Sequence, residues 1–223
     1  MARRTAATFA RPCYTEAMFK GLLLSLLAIT GLVGCTGSPP VPTPQGIAGK
    51  GITDQSKRAA VTLDDRPFEL WAGREKAAGT VLVFIRTDCP ISNRYAPTLL
   101  RLCEHYQPLG VDFFLVYVDP HEDSESIRRH IQQYKFACPA IRDPSHRLVA
   151  ECGATVTPEA VVFDSRHELV YRGRIDDLYA DFGQSRTEAT THELADALEA
   201  VVSNQPVAVP FAKAVGCYIG DLK

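Results

Sequence analysis

The chain has 223 residues, with 24 Lys and Arg against 26 Asp and Glu and a formal net charge of −2. That length allows one medium-sized domain with appendages, and the near-balance of charge excludes recruitment of nucleic acid or acidic partners by a global field. Seven cysteines stand at positions 13, 35, 89, 103, 138, 152 and 217, and no two of them form Cys-x-x-Cys, which argues against a zinc ribbon and against an ordinary two-cysteine redox motif.

The N-terminal segment reads as a targeting signal outside the fold. Arg3, Arg4, Arg11 and Lys20 precede the apolar run Gly21–Val33, which is too short to span a bilayer comfortably as a permanent helix. The run ends in Leu32-Val33-Gly34-Cys35, which resembles a bacterial lipobox with Cys35 as the lipidated residue. Residues 1–35 are therefore expected to be a lipoprotein signal peptide, with Met18 suspected as the true start. An exported protein is implied, lipid-anchored in the bacterial cell envelope and facing the periplasm in a Gram-negative cell, where disulfides persist. Residues 36–59 are rich in Pro, Gly and Thr without an apolar period and read as a tether. Without Cys13 and Cys35 five cysteines remain, an odd number, so at least one is unpaired within a monomer.

The globular domain is expected over residues 60–205. Residues 61–63 and 68–71 read as two short strands around a turn. Val81–Ile85 is a continuous run of β-branched and aromatic residues, the pattern of a strand buried on both faces. Cys89 follows at once, with Pro90 suited to the first turn of a helix. Cys89 thus sits where a buried strand meets a helix N-terminus, whose partial positive charge and free N–H groups stabilise a thiolate. That placement points to thiol chemistry; the alternative is a small buried hydrophobe. Arg86, Thr87, Asp88, Ser92 and Asn93 flank the thiol: Arg86 and the Ser92 hydroxyl would support a thiolate, Asp88 would oppose it, and the same residue types also serve as ordinary helix caps.

The helix behind Cys89 runs to Tyr106, with Leu99, Leu102, Cys103 and Tyr106 on one apolar face. Cys103 lies about 21 Å further along the axis at 1.5 Å per residue, beyond reach of a disulfide with Cys89. A second buried strand spans residues 111–118. His121, Glu122 and Asp123 follow and read as capping residues rather than metal ligands, and a helix spans residues 124–134. Cys138 lies in a short extended piece, Asp143–Ser145 starts a small helix ended by Gly153, and Thr157-Pro158 leads into a strand over residues 159–164. Residues 167–172 pair with it as a hairpin. Residues 187–203 form an amphipathic helix, and residues 206–223 are a tail carrying Cys217.

This order predicts an α/β fold with a central mixed sheet and helices on both faces. The pieces VLVFIRTDCPISN, FLVYVDP and CPAIRDPSHRLVAECGATVTPEAVVFD, and the hairpin running into YRGRIDD, resemble the thioredoxin-fold redoxin superfamily, AhpC/TSA-like and TlpA/ResA-like. DCPISNRYAPTLL, GRIDD and AVGCYI resemble exported bacterial redoxin-domain proteins in particular. The resemblance implies that Thr157-Pro158 is a cis bond lying against the active-site cysteine. It implies a thiol–disulfide oxidoreductase with Cys89 as nucleophile, acting on protein disulfides and recharged by an external thiol reductant, with no cofactor and no metal. The alternatives are a peroxide-reducing antioxidant redoxin and a non-catalytic binding or metal-handling module.

Three departures matter. Ser92 stands where a second redox cysteine would be, and a lone thiol can attack a disulfide but cannot release its partner by itself. The peroxidase pattern Pro-x-x-x-Thr/Ser-x-x-Cys is broken by Leu82 and Arg86, with Thr87 one position off. The Sco-type copper pattern is broken by Asn93 in place of its second cysteine. Cys217, with Gly216 before it to give the backbone freedom, and Cys138 are the candidate resolving cysteines; Cys152 is a weaker one, and resolution by an outside thiol is the remaining possibility.

Overall fold

A computed structural model of the chain describes residues 60–220. The expected signal peptide with Cys35 and the tether lie outside the described residues. Within the described ones, no helix is long and apolar enough to cross a membrane.

The centre is β3 (Gly79–Ile85), every residue of which is buried. It pairs in parallel with β4 (Val111–Tyr117) and antiparallel with β7 (Glu159–Asp164), so that Val83 stands between Leu115 and Ala160. Outward from β4 lie β5 (Ala140–Arg142), β1 (Ala60–Thr62) and β2 (Pro67–Phe68). Outward from β7 lie β8 (Leu169–Gly173) and, at the edge, β11 (Phe211–Ala212). The result is one mixed eight-stranded sheet.

Because side chains alternate across a strand, each central strand feeds two cores. Val81, Val83, Ile85, Phe113, Leu115, Ala160 and Val162 face one side. Leu82, Phe84, Phe114, Val116, Val161 and Phe163 face the other. The first core is covered by α1 (Pro90–Arg94), α2 (Ala96–Tyr106), α3 (Ser124–Tyr134) and α5 (Glu193–Val202), and the second by α4 (Arg147–Cys152). Helices thus cover both faces as expected, though unevenly. Asp123 caps α3 by accepting from the Ser126 N–H at 2.7 Å, the capping role expected of that acidic cluster.

Four features differ from the sequence expectation. The helix behind Cys89 is two helices, broken at Tyr95, which carries φ −80° and ψ −4°. Pro97 is the cause: it offers no N–H to residue 93 and its ring crowds that carbonyl. Helix α5 starts at Glu193, six residues later than expected, because residues 187–192 are held in another way. There the Asp177 carboxylate accepts from the Thr190 and Thr191 N–H groups at 2.5 and 3.0 Å. A small hairpin, β9 (Tyr179–Asp181) with β10 (Gln184–Ser185), occupies the loop before it. The tail, read from the sequence only as a segment carrying Cys217, is paired at two places among the described residues. Its β11 lies parallel to β8, with Ala212 beside Gly173; a Cβ there would meet the Ala212 oxygen at 2.0 Å, so glycine is required. Its β12 (Cys217–Tyr218) pairs antiparallel with β6 (Val156–Thr157).

Candidate active site

Arg86–Asp88 bridge β3 to α1, and Cys89 is the N-cap of α1, with extended backbone (φ −84°, ψ 109°) and Pro90 following. The Thr157–Pro158 peptide bond is cis, and the Cys89 thiol donates to the Thr157 carbonyl at 3.0 Å. Glu159 steadies this loop from below: its carboxylate accepts from the Thr155 N–H at 2.7 Å and the Val156 N–H at 3.4 Å.

The tail completes the site. Cys217 stands opposite Thr157 in the β6–β12 ladder, the Ile219 N–H donates to the Thr155 carbonyl at 3.0 Å, and the Thr157 hydroxyl donates to the Cys217 carbonyl at 3.4 Å. Cys217 is thereby set beside the residue whose carbonyl receives the Cys89 thiol, and the two thiols influence each other's ionisation. The two thiols are unequal. Burial opposes ionisation of Cys89, but donation from the Cys217 thiol, then from the Ser92 hydroxyl and N–H, outweighs it and holds Cys89 below the ordinary thiol range. Cys217 is pushed up to about 12, by burial first and then by its proton being held toward the Cys89 sulfur. Ser92 fits the same picture. Its hydroxyl is buried with no hydrogen-bond partner among the described residues, so a thiolate at Cys89 would give that group an acceptor.

The other expected residues separate into those that touch the sulfur and those that do not. Cys138 is not brought to Cys89. It packs in the same core, but its thiol faces Cys103 and the Leu99 carbonyl, the latter at 4.0 Å, which removes it as a resolving cysteine. Cys103 is core, 1% exposed, as expected. Cys152 belongs to the core on the opposite face of the sheet. Arg86 does not support the thiolate: its guanidinium is engaged by Asp88 at 3.0 Å and Asp119 at 3.1 Å. The Thr87 hydroxyl donates to the Glu122 carboxylate, which also accepts the Thr87 N–H at 3.0 Å.

Asn93 joins a buried polar chain behind α1. Its amide donates to the Thr87 carbonyl at 3.0 Å, which fixes the other end, Oδ1, as acceptor for His130 Nε2 at 2.7 Å. His130 Nδ1 then accepts from the Tyr117 hydroxyl at 2.9 Å. Burial lowers the His130 pKa, in keeping with a neutral ring in this single tautomer.

Sequence reasoning missed Glu122, His130 and Tyr95 as supports of the site. The Tyr95 hydroxyl donates to the Asp176 carboxylate at 2.6 Å, tying the break between α1 and α2 to the loop after β8. Asp176 carried a signal in GRIDD, and it is 5% exposed; its partner was not readable. Among the described residues no group of three or more His, Cys, Asp or Glu is placed to hold a metal ion.

The arrangement supplies a thiol at a strand–helix junction, a second thiol on the strand β12 and the cis-proline strand β6 between them. Comparison with known proteins places it. Among solved structures, the chain is similar to a hypothetical protein from Sinorhizobium meliloti, at 23% identity with a TM-score of 0.63, covering 73% of this chain and 92% of that one. It is also similar to an uncharacterized conserved protein from Geobacillus kaustophilus, at 25% identity with a TM-score of 0.62, covering 74% and 90%. No curated protein matches. The AhpC/TSA family model matches residues 55–172, more than half of the chain. With its thioredoxin-like mixed sheet and the cysteine at the strand–helix junction, the chain belongs to the AhpC/TSA family of thioredoxin-fold redoxins.

Proposed function

We propose that the protein is a two-cysteine thiol–disulfide oxidoreductase, held at a bacterial membrane through lipid on Cys35, with Cys89 as nucleophile and Cys217 as resolving cysteine. The observation that carries this reading is the β6–β12 ladder, which sets Cys217 opposite Thr157, the residue whose carbonyl takes the Cys89 thiol at 3.0 Å; the lowering of Cys89 and raising of Cys217 agree with it. In the reducing direction, the Cys89 thiolate attacks one sulfur of a substrate disulfide and the other sulfur leaves as a thiolate that takes a proton. Cys217, losing its proton, then attacks the Cys89 sulfur of the mixed disulfide. The substrate departs as a dithiol and a Cys89–Cys217 disulfide remains, two electrons having passed to the substrate. An external thiol reductant restores the pair. Ser92 therefore stands where a second active-site cysteine is dispensable, because the tail delivers one.

Peroxide reduction is the weaker reading. It requires donors aimed at the peroxide oxygens, but the Thr87 hydroxyl proton is committed to Glu122 and Arg86 to two carboxylates.

The test is to trap thiols in intact cells with an alkylating agent and map them by mass spectrometry. A Cys89–Cys217 disulfide that disappears under reductant supports the reading, as does accumulation of Cys89 mixed disulfides with other proteins in a Cys217→Ser strain. A Cys89 that stays a thiol under oxidation by a disulfide reagent refutes it, and rapid Cys89-dependent peroxide consumption would replace it with the peroxidase. A mature chain that does not begin at acylated Cys35 removes the anchor.

A further inference from the structure

The groove beside the cis proline is occupied. With β12 in place, Cys89 is only 1% exposed, so no protein disulfide reaches it while the tail is docked. The docked segment is short. It consists of a two-residue ladder and one buried anchor, Ile219, which is 5% exposed, while Tyr218 between them points outward at 66% exposure. Its entry is tightly shaped: a Cβ on Gly216 would lie 2.2 Å from the Thr157 carbonyl oxygen and 2.6 Å from its carbon. These are backbone atoms of the loop that Glu159 holds, so they cannot step aside as a flexible side chain would. Gly216 is therefore required by the groove itself, not by the freedom of the tail.

We propose that the tail and the substrate exchange on one strand: the edge of Val156–Thr157 accepts an extended segment of a partner protein in the register now held by Gly216-Cys217, selecting cysteines preceded by glycine. The inference rests on the oxidoreductase reading above and adds the substrate's local sequence and the manner of its release. An added strand draws affinity from main-chain hydrogen bonds and specificity from side-chain sites; here the decisive site excludes a Cβ. The tail lifts off, the segment pairs with β6, and the Cys89 thiolate attacks its cysteine within a disulfide, expelling the other sulfur as a thiolate that is protonated. The returning tail competes for the same edge. As β12 re-forms, Cys217 reaches the Cys89 sulfur, the mixed disulfide breaks, and the segment leaves as a thiol. Resolution and product release are then one event.

The test uses the full chain, reduced, with extended peptides carrying a central Gly-Cys, Ala-Cys or Val-Cys as mixed disulfides with thionitrobenzoate. The low-pKa aromatic thiol leaves preferentially, and its absorbance reports attack. In the Cys217→Ser protein the expected product is a stoichiometric Cys89–peptide disulfide, formed from Gly-Cys faster than from Val-Cys by about tenfold or more, the scale of a small steric difference in a tight site. The docked tail slows all peptides alike and leaves that ratio unchanged. In the unsubstituted chain the Gly-Cys peptide should end as free thiol, with Cys89 joined to Cys217. A Gly216→Ala substitution in the Cys217→Ser background should weaken docking and speed alkylation of Cys89. Equal rates for the three peptides, or Cys89 no more accessible in Gly216→Ala, overturn the inference and leave the oxidoreductase reading standing. Failure of Cys89 to form a mixed disulfide with any peptide defeats that reading itself.

Discussion

Ile219→Ala measures how firmly the tail closes the site. Ile219 is 5% exposed and packs in the core that also holds Leu148, Val149 and Ala154. The substitution removes three carbons; at about 0.8 kcal/mol per buried methylene the loss is about 2.4 kcal/mol. Relaxation of a peripheral site trims this to roughly 2 kcal/mol. The loss falls on the docked state, since the freed tail exposes the side chain in both proteins. At 1.4 kcal/mol per decade, the open population rises about thirtyfold. The assay is the rate of iodoacetamide labelling of Cys89, followed by mass spectrometry in a Cys217→Ser background so that one thiol reports. Thermal melting in parallel separates local opening from loss of the whole fold. A labelling rate within about threefold of the parent, with melting unchanged, would refute the argument that this anchor holds the tail.

Three further outcomes are expected. The pH midpoint of Cys89 alkylation should lie below that of a free thiol, and Ser92→Ala should move it upward, since a donor to the thiolate is lost; a midpoint that moves down contradicts the assigned role of the hydroxyl. Asn93→Ala strands His130 Nε2 and the Thr87 carbonyl in a buried setting and should cost about 1–3 kcal/mol in urea unfolding. Asp143 is pushed up to about 6 by burial, despite accepting from the Arg147 and Val149 N–H groups at 2.8 and 3.0 Å. Its folded pKa lies above its unfolded value, so the ionised carboxylate destabilises the fold above pH 6 and this cost disappears as pH falls toward 4. The stability of the parent relative to Asp143→Asn should therefore rise by an amount on the order of 2 kcal/mol between pH 7 and pH 4; a difference independent of pH would contradict it.

What the sequence made legible was what local chemistry controls. The run Val81–Ile85 announced a strand buried on both faces, and Cys89-Pro90 announced the strand–helix junction, because each pattern is read within a few residues. Resemblance marked Thr157-Pro158. Cys217 and Cys138 were both plausible partners for Cys89, and only the fold separates them, since both lie far from it in sequence. Gly216 was singled out for the wrong reason: a glycine that frees a backbone and one that admits a close approach look the same in a sequence. The break at Tyr95 was readable from Pro97, and the apolar spacing of Leu99, Cys103 and Tyr106 lies wholly beyond it, within the second helix. Glu122 looked like a cap beside Asp123, yet its carboxylate turns back to Thr87 on a different loop, a choice made by packing rather than by the helix that follows it.

While β11 stays paired with β8, it bounds how far Cys217 can travel. Only Lys213–Gly216 separate the anchored Ala212 from the cysteine, a span of at most about 17 Å when extended. A tail released from β6 while still held at β11 keeps its thiol within that radius, where short tethers give local concentrations in the millimolar range. A competing thiol in solution must reach comparable concentration and ionisation before it intercepts the mixed disulfide. On the proposed mechanism, the edge strand that closes the sheet would also act as a leash, making capture of the mixed disulfide a first-order event whose rate does not depend on how much thiol surrounds the protein.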